Sequence, residues 1–526
     1  MTQLSARTRK RRSKVRPVEF APAQKTADLP RDGWWWGSLA ILLVAALLRL
    51  LYLTEKPLHH DEGVNGLFLA NLFRTGYYHY DPANYHGPTL YYIALLPSGI
   101  NNLFHWGHGL STFAIRFVTA AFGVGVVWLM LCLRRYLGTA AALAAAAFAT
   151  VSPGFVFFSR YFIHEILFVF FSLGVIVAWL RYRDTDKPRY LMLASASAAM
   201  LFATKETWII TAAVWLIAIP CTIFYLRLRK STEDVPAWTS PATGENPARN
   251  TTMLYVKAAA LFVAIGLLFY SSFFTNPRGI LDSVLTFTYW TKTGQNGIYN
   301  RDWSTYIGWL LREEGPILIL GGLGTLVALA RSRSFFTVFC AFWSLGIFAA
   351  YSLVPYKTPW LVLSIILPFT IMVGYLIGEA YQPGLRAFTT VIAGLAIVFS
   401  LYQAIDVSFV NYDNDAYVYI YAHTNRDFLS LVNEIESIAA ANPAKKEIGI
   451  TVVSPEHWPL PWYLREYTHV GYWGHVVPTS EPVVIALQSQ VAQVEQQLGG
   501  RYRLFSTHAL RPGNTLVMFV RNDVAQ

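Results

Sequence analysis

Charged residues are scarce in this sequence. Asp, Glu, Lys and Arg make up 14% of the 526 residues, whereas 54% are hydrophobic. Several apolar runs extend over roughly 17–25 residues, which is long enough to span a bilayer. A soluble protein of this length would alternate apolar and polar positions instead. The composition therefore excludes a soluble globular protein and predicts a polytopic membrane protein.

Cysteine is also scarce. The three cysteines, Cys132, Cys221 and Cys340, lie far apart, each within or at the end of an apolar run. No spacing among them is typical of a metal site or a redox motif. We expect them to act as small hydrophobic side chains.

Acidic residues are outnumbered, with 31 against 42 basic residues and a formal net charge of +11. Much of the excess lies in the tail at residues 7–16 and in short loops between apolar runs, where basic residues determine orientation in the membrane. We predict that residues 1–33 form a disordered cytoplasmic tail that touches at most membrane lipids. No nucleic-acid partner is expected.

Eleven apolar segments predict about eleven transmembrane helices. They are about Gly37–Leu53, Ala114–Leu133, Thr139–Phe157, Ile166–Leu180, Tyr190–Thr207, Trp208–Leu226, Leu254–Phe273, Pro316–Ala330, Phe335–Val354, Leu361–Tyr381 and Ala387–Tyr402. The basic clusters then fall on one side, as the positive-inside rule requires: Arg134/Arg135, Arg181/Arg183/Arg189, Arg227/Arg229/Lys230 and Arg331/Arg333. This arrangement predicts a multi-pass protein of the plasma or inner membrane with its N-terminus in the cytoplasm.

Two regions outside these segments have a different character. Between residues 54 and 112 we expect two helices along the outer membrane surface, with a short span at Thr89–Phe104 as the alternative. From Asp406 onward, strand and helix patterns alternate, which predicts a small extracytoplasmic α/β domain. The strands are Ile448–Val453, Val483–Leu487, Tyr502–Ser506 and Thr515–Val520, and the helices are Asp427–Ala441 and Ser489–Leu498. The predicted domains are thus residues 1–33, 34–405 and 406–526.

Three carboxylates fall on the outer side and are candidate catalytic groups. Asp61 and Glu62 follow the first span, and Glu165 begins the fourth. Carboxylates brought together must share a proton, pair with a cation or hold a metal, and each arrangement suits acid–base chemistry. The alternative for Asp61 and Glu62 is that they cap the helix that follows.

Basic residues on the same side are candidate phosphate contacts. They include Arg160, Lys205, Arg278 and Lys357. Interaction with lipid headgroups is the alternative for each of them.

Histidines near the carboxylates could bind a divalent metal, either Mg²⁺ or Mn²⁺ or else Zn²⁺. His60 and His164 are the candidates. The adjacent pair His59-His60 has poor geometry for one ion, because neighbouring side chains diverge.

One segment of the C-terminal domain, Ser454–Arg465, directly follows a predicted strand and contains Trp458 and Trp462. Ligands bind at the carboxyl ends of strands in open α/β sheets. Packing of the domain against the membrane is the alternative role.

Together these residues resemble the GT-C superfamily of membrane glycosyltransferases, which includes the protein O-mannosyltransferases and the lipid A aminoarabinose transferases. The resemblance covers about residues 37–405. Its motifs are Asp61-Glu62, Gly87-Pro88-Thr89-Leu90-Tyr91-Tyr92, Arg116-Phe117, Arg160 with Glu165, Thr204-Lys205 and Lys357-Thr358-Pro359-Trp360. In addition, residues 59–63 and 458–465 are similar to a prokaryotic family labelled "flippase activity-associated".

The resemblance implies an inverting transferase that uses a polyprenyl-phosphate-linked sugar donor and a lipid or protein acceptor. Asp61 would be the general base, Glu165 a second acid that orients the donor or a metal, and Lys205 a phosphate contact. Many relatives have Asp where this chain has Glu165. The alternative is a transporter or flippase for lipid-linked sugars. Transporters typically have midplane sites and inverted repeats, whereas the acids here lie at span ends and the two halves do not match.

Overall fold

The computed structural model describes residues 31–84, 86–104, 109–229, 247–293, 297 and 299–524. Within these residues the chain forms twenty α-helices and five β-strands. The predicted basic tail at residues 7–16 lies outside the described residues.

The first seventeen helices make up the membrane part. They are α1 (Arg31–Leu50), α2 (His60–Thr75), α3 (Thr89–Leu103), α4 (Thr112–Cys132), α5 (Arg134–Leu137), α6 (Thr139–Val151), α7 (Pro153–Ser159), α8 (Glu165–Thr185), α9 (Pro188–Phe202), α10 (Trp208–Leu228), α11 (Pro247–Tyr270), α12 (Arg278–Thr293), α13 (Thr305–Glu313), α14 (Gly315–Arg331), α15 (Phe335–Leu353), α16 (Val362–Ala380) and α17 (Arg386–Ile405). The predicted polytopic helical fold is confirmed.

Among the described residues, eight helices are long and apolar enough to cross a membrane. Two bent pairs raise the number to as many as ten: α6 with α7, bent by 57°, and α13 with α14, bent by 113°. The fifth predicted span corresponds to α9, which has 15 residues, fewer than the roughly 20 that a bilayer requires. Each of the eleven predicted segments therefore contains a helix. The third segment is broken at Ser152 and the fifth is short, whereas the bend before α14 lies outside the eighth segment.

The two bends are joined by one carboxylate. Pro153 has no N–H to continue the ladder of α6, and the break at Ser152 turns its hydroxyl toward the bend before α14. There Glu314 accepts hydrogen bonds from Ser152 Oγ (2.9 Å) and from the Gly154 N–H (2.5 Å). Both bends are thus fixed against each other inside the bundle.

The basic clusters lie at one end of the helices. Arg181 donates to the carbonyl of Cys132 (3.2 Å), so the ends of α4 and α8 meet. Arg229 donates to the carbonyl of Ala330 (2.8 Å), so the ends of α10 and α14 meet as well. The beginnings of α8 and α10 therefore lie at the opposite end, where Glu165 and Lys205 are found.

The C-terminal domain is a five-stranded sheet with flanking helices. Its elements are α18 (Phe428–Ala441), β1 (Ile450–Val452), α19 (Leu460–Tyr463), β2 (Val470–Tyr472), β3 (Val483–Leu487), α20 (Val491–Leu498), β4 (Tyr502–Arg511) and β5 (Asn514–Arg521). The strand order is β2-β1-β3-β5-β4, with β1 parallel to β2 and β3 and the other pairs antiparallel. The four predicted strands are present. The short strand β2 escaped prediction because three residues that include a glycine carry too little pattern.

Candidate active site

A cavity of about 870 Å³ lies between the membrane helices and the C-terminal domain. Its wall includes five residues expected to act at the site: His60, Asp61, His164, Glu165 and Lys205. They come from three separate segments at the ends of helices away from the basic clusters. Four other candidates, Glu62, Arg160, Arg278 and Lys357, do not line it.

Asp61 lies in the first turn of α2, and the cap of that helix fixes its position. The ring of His59 accepts a hydrogen bond at Nδ1 from the Asp61 N–H (3.0 Å), and its Nε2 lies 2.9 Å from the Tyr421 carbonyl. Burial lowers the pKa of His59, which favours the neutral imidazole. The Asp61 side chain remains 41% exposed and faces the cavity. A carboxylate held in this way is available to a ligand.

Glu62, by contrast, is fully buried and bonded within the protein. Its oxygens accept two hydrogen bonds of 2.7 Å from the Arg116 guanidinium, and others from the N–H groups of His59 (3.0 Å) and Phe162 (2.9 Å). Burial alone would raise the pKa of Glu62, but the positive charge of Arg116 lowers it. Asp61 lines the cavity and Glu62 does not. The placement corrects the expectation that Glu62 belongs to the catalytic set and supports the capping alternative for it.

Glu165 and Lys205 form a buried ion pair on the cavity wall. The Lys205 ammonium donates to Glu165 Oε1, and their side chains are 4% and 8% exposed. Burial opposes the charge of Lys205, but the carboxylates of Glu165 and Glu206 raise its pKa, so it carries a positive charge. Glu206 in turn pairs with His86 (3.0 Å). Glu206 also lines the cavity; its position beside Lys205 in the sequence was the only signal for it.

The Gly87-Pro88-Thr89 motif holds the turn that carries Lys205. The Gly87 N–H donates to the Thr204 carbonyl (3.1 Å), and Thr89 Oγ1 donates to Thr204 Oγ1 (2.8 Å). A Cβ on Gly87 would lie 2.0 Å from the carbonyl oxygen of Ala203. Only glycine therefore permits this approach of the two backbones.

The remaining candidate cations lie away from the cavity, and two of them contact backbone. Arg160 donates to the carbonyls of Leu51 (2.6 Å) and Tyr52 (2.9 Å) beyond the end of α1. Lys357 donates to carbonyls at the end of α15 at 2.7–3.1 Å. Both satisfy carbonyls that have no partner in the helix ladder. The side chain of Arg278 is 78% exposed, and its Nε lies 3.7 Å from Oδ1 of Asp282. The structure therefore does not bring these three expected phosphate contacts to the site.

The two candidate metal ligands, His60 and His164, both line the cavity. Burial lowers the pKa of each, which favours neutral rings. His164 Nε2 lies 3.0 Å from the Gly87 carbonyl and so carries the hydrogen, which leaves Nδ1 with the lone pair. Across the described part of the chain, no group of three or more His, Cys, Asp or Glu side chains is arranged to hold one ion. The structure thus offers two histidines at the cavity without a complete ligand set.

The C-terminal domain forms the remaining wall. Glu456, within the predicted segment Ser454–Arg465, lines the cavity, and so does Arg511, which sequence reasoning missed. The same segment packs tightly on α2: a Cβ on Gly63 would lie 2.7 Å from Pro459, and one on Gly66 would lie 2.5 Å from the Trp462 ring. The segment after β1 therefore both docks the domain and reaches the site.

Comparison with known proteins agrees with this architecture. A family model described as dolichyl-phosphate-mannose-protein mannosyltransferase matches residues 85–232. That match includes Glu165 and Lys205 but neither Asp61 nor the C-terminal domain. No curated protein sequence matches the chain.

Solved structures resemble the chain over nearly its whole length. ArnT from Cupriavidus metallidurans in the apo state is 15% identical, with a TM-score of 0.61, over 94% of this chain and 99% of that one. The Archaeoglobus fulgidus oligosaccharyltransferase in complex with Zn and sulfate is 13% identical, with a TM-score of 0.54, over 93% and 75%. Arabinofuranosyltransferase AftD from Mycobacteria is 12% identical, with a TM-score of 0.50, over 95% and 40%. The predicted resemblance to the GT-C superfamily is confirmed at the level of the fold.

Proposed function

We propose that this chain is an integral-membrane glycosyltransferase. It moves a sugar from a polyprenyl-phosphate-linked donor to a lipid or protein acceptor at the extracytoplasmic face of the cell membrane. The observation that carries the proposal is the presence of Asp61, Glu165 and Lys205 on the wall of one cavity. A structure of ArnT bound to undecaprenyl phosphate, 14% identical over 94% of this chain and 100% of that one with a TM-score of 0.60, supports a lipid phosphate as the donor's carrier.

The acceptor side of the reaction needs a base. An acceptor hydroxyl that attacks the anomeric carbon of the sugar must lose its proton as the new bond forms. Asp61 is an accessible carboxylate on the wall of the cavity, and its cap holds it in one place. In the proposed reaction Asp61 takes that proton as general base.

The donor side needs positive charge. As the bond between the anomeric carbon and the phosphate oxygen breaks, both bonding electrons stay with the phosphate, and negative charge grows there. The ammonium of Lys205 stabilises that charge, while Glu165 acts as a positioning residue that holds the ammonium against the wall. Attack from the side opposite the departing phosphate inverts the configuration at the anomeric carbon.

A divalent metal stays a prediction of the family resemblance. The described residues that line the cavity do not form a ligand set for one ion. Glu165, the carboxylate expected to contact a metal, is already bonded to Lys205. We therefore derive the proposed steps from the side chains alone.

The proposal is tested in cells of the source organism with and without the gene. Mass spectrometry of envelope lipids and proteins is expected to find a sugar modification that depends on the gene and that the wild-type gene restores. Asp415→Asn is the matched control for Asp61→Asn, because Asp415 is exposed and does not line the cavity. A gene that carries Asp415→Asn should restore the modification fully. Identical glycoconjugates in the two strains would contradict the proposal.

A further inference from the structure

The C-terminal domain delivers one cation to the cavity. Arg511 ends β4, and it pairs with Asn514 of β5 across a two-residue turn. Gly513 in that turn has φ +80°, which favours glycine. The neighbouring Leu510 is fully buried in the core of the domain. A short hairpin anchored in this way holds the backbone of Arg511 in a fixed position.

The guanidinium is buried but not fully bonded. Its side chain is 10% exposed. Nη2 donates to the Trp458 carbonyl (2.8 Å), Nη1 lies 3.5 Å from His60 Nδ1, and the nearest Glu456 oxygen lies 3.7 Å from Nη2. Among the described residues, the buried Nε–H has no hydrogen-bond partner. A buried donor without a partner is costly, and the residue that carries it lines a cavity large enough for a ligand.

The position of Arg511 relative to Asp61, the proposed base, indicates which substrate it binds. Arg511 Nη1 lies 3.5 Å from Nδ1 of His60, the residue before Asp61, and Arg511 and Asp61 line the same cavity. Arg511 is therefore a neighbour of Asp61, whereas Lys205 is bonded to Glu165. Among the described residues that line the cavity, Lys205 in the turn before α10 and Arg511 beside the base are thus the two cationic groups. An acceptor hydroxyl that gives its proton to Asp61 must bind near Arg511.

We infer that Arg511 is an acceptor-binding residue whose guanidinium takes an anionic group, a phosphate or a carboxylate, of the acceptor. This inference rests on the proposed function and adds to it the chemical class of the acceptor. Arginine suits this role because two adjacent N–H groups match the two oxygens of such an anion. The C-terminal domain then selects the acceptor, and the membrane helices hold the donor.

The first experiment separates the acceptor from the donor phosphate. Undecaprenyl phosphate is titrated into the purified full-length protein, and binding is measured for wild type, Arg511→Gln and Lys205→Gln. We expect Arg511→Gln to bind this probe as wild type does and Lys205→Gln to bind it more weakly. Weaker binding by Arg511→Gln would assign Arg511 to the donor phosphate and overturn the inference.

The second experiment measures transfer in cells. The amount of the gene-dependent glycoconjugate is compared at equal protein levels in the membrane. We expect Arg511→Gln to reduce it about tenfold or more, the effect of losing a charge-assisted hydrogen bond. Arg511→Lys should be intermediate, because lysine keeps the charge without the paired donors. Arg503→Gln is the matched control, an exposed residue of the same strand outside the cavity, and should have no effect.

The outcomes separate the inference from the proposed function. Thermal midpoints of all variants are compared, and Arg511→Lys keeps the test valid if the glutamine variant is unstable, because lysine can still donate to the Trp458 carbonyl. A wild-type level of product in Arg511→Gln, or an acceptor that carries no anionic group, would overturn the inference alone. The absence of any gene-dependent glycoconjugate would overturn the proposed function as well.

Discussion

Asp61 and Glu62 are neighbours in the chain, yet their carboxylates meet different surroundings. Asp61 is 41% exposed at the cavity, whereas Glu62 is enclosed with Arg116. At the level of single residues, the sequence predicted that an acidic pair would lie at this place. It could not tell which acid faces a ligand, because that depends on the rotation of α2 against the helices that carry Arg116 and Glu165.

Glu62→Gln is expected to destabilise the protein. The substitution leaves the buried guanidinium of Arg116 without its counter-charge, and breaking a buried ion pair costs about 3–5 kcal/mol. We expect a clearly lower thermal unfolding midpoint in detergent. Asp61→Asn removes the same charge one residue away and should leave the midpoint close to that of wild type. Equal midpoints for all three proteins would contradict the structural role of Glu62.

At the level of elements, the contact between α2 and the segment after β1 positions the proposed base against the C-terminal domain. The Leu58 N–H donates to the Tyr463 hydroxyl (2.9 Å), and Thr424 donates to the Leu58 carbonyl (2.7 Å). Gly63 and Gly66 allow Pro459 and Trp462 to approach the helix. The position of Asp61 therefore depends on this docking.

Gly66→Ala is expected to disturb both stability and transfer. The added methyl group would lie 2.5 Å from the Trp462 ring, and overpacking of this kind costs about 1–3 kcal/mol. Gly99→Ala is the matched control, since Gly99 also lies within a helix but a Cβ there would meet nothing within 4 Å. The thermal midpoint and the amount of gene-dependent glycoconjugate should fall for the first variant only. A similar effect of the two substitutions would exclude the proposed docking constraint.

A second element contact predicts a pH dependence in the C-terminal domain. In β4, Nδ1 of His508 lies 3.1 Å from Oδ1 of Asp427, which directly precedes α18. Its Nε2 lies 3.0 Å from Oε2 of Glu434, which belongs to α18. Burial opposes the charge of His508, but these carboxylates raise its pKa above 6.5. The stabilisation of the C-terminal domain by the charged His508 is therefore fully present below the unfolded-state pKa, which lies at about 6.5. It is lost as pH rises through the folded-state pKa of His508.

Hydrogen exchange of peptides from β4 is the measurement for this contact. Wild type should be better protected from exchange than His508→Gln. This difference in protection should be greatest at acidic pH and shrink as pH rises. His469→Gln, at an exposed histidine of the same domain, should match wild type at each pH. A difference between wild type and His508→Gln that does not change with pH would contradict the prediction.

At the level of the whole molecule, most of the architecture could be predicted from the sequence, because apolar length and helix periodicity are local properties. The pattern located a helix in all eleven predicted segments and four of the five strands. The meeting of Asp61 with Glu165 on one cavity wall followed from topology. The contribution of Arg511 could not be predicted, since it depends on how the C-terminal sheet docks on α2. The helix-end roles of Arg160 and Lys357 were hidden for a related reason: a cation near a helix end looks the same in sequence whether it binds backbone or phosphate.

The orientation of the molecule in the membrane remains a prediction and can be tested with cysteine substitutions. Lys187 lies near the basic ends of the helices and Ser437 lies in α18, and both are exposed. A membrane-impermeant thiol reagent added to intact spheroplasts should label Ser437→Cys, and it should label Lys187→Cys only after the membrane is permeabilised. The reverse pattern would place the cavity on the cytoplasmic side.

In the proposed reaction, Asp61 takes the acceptor's proton during sugar transfer. The most direct measurement is the amount of the gene-dependent glycoconjugate in cells that produce Asp61→Asn at the wild-type level in the membrane, with the thermal midpoint of the purified variant as the check on folding. We expect the glycoconjugate to be lost while the midpoint stays near that of wild type. Wild-type amounts of glycoconjugate from a folded Asp61→Asn protein would contradict it.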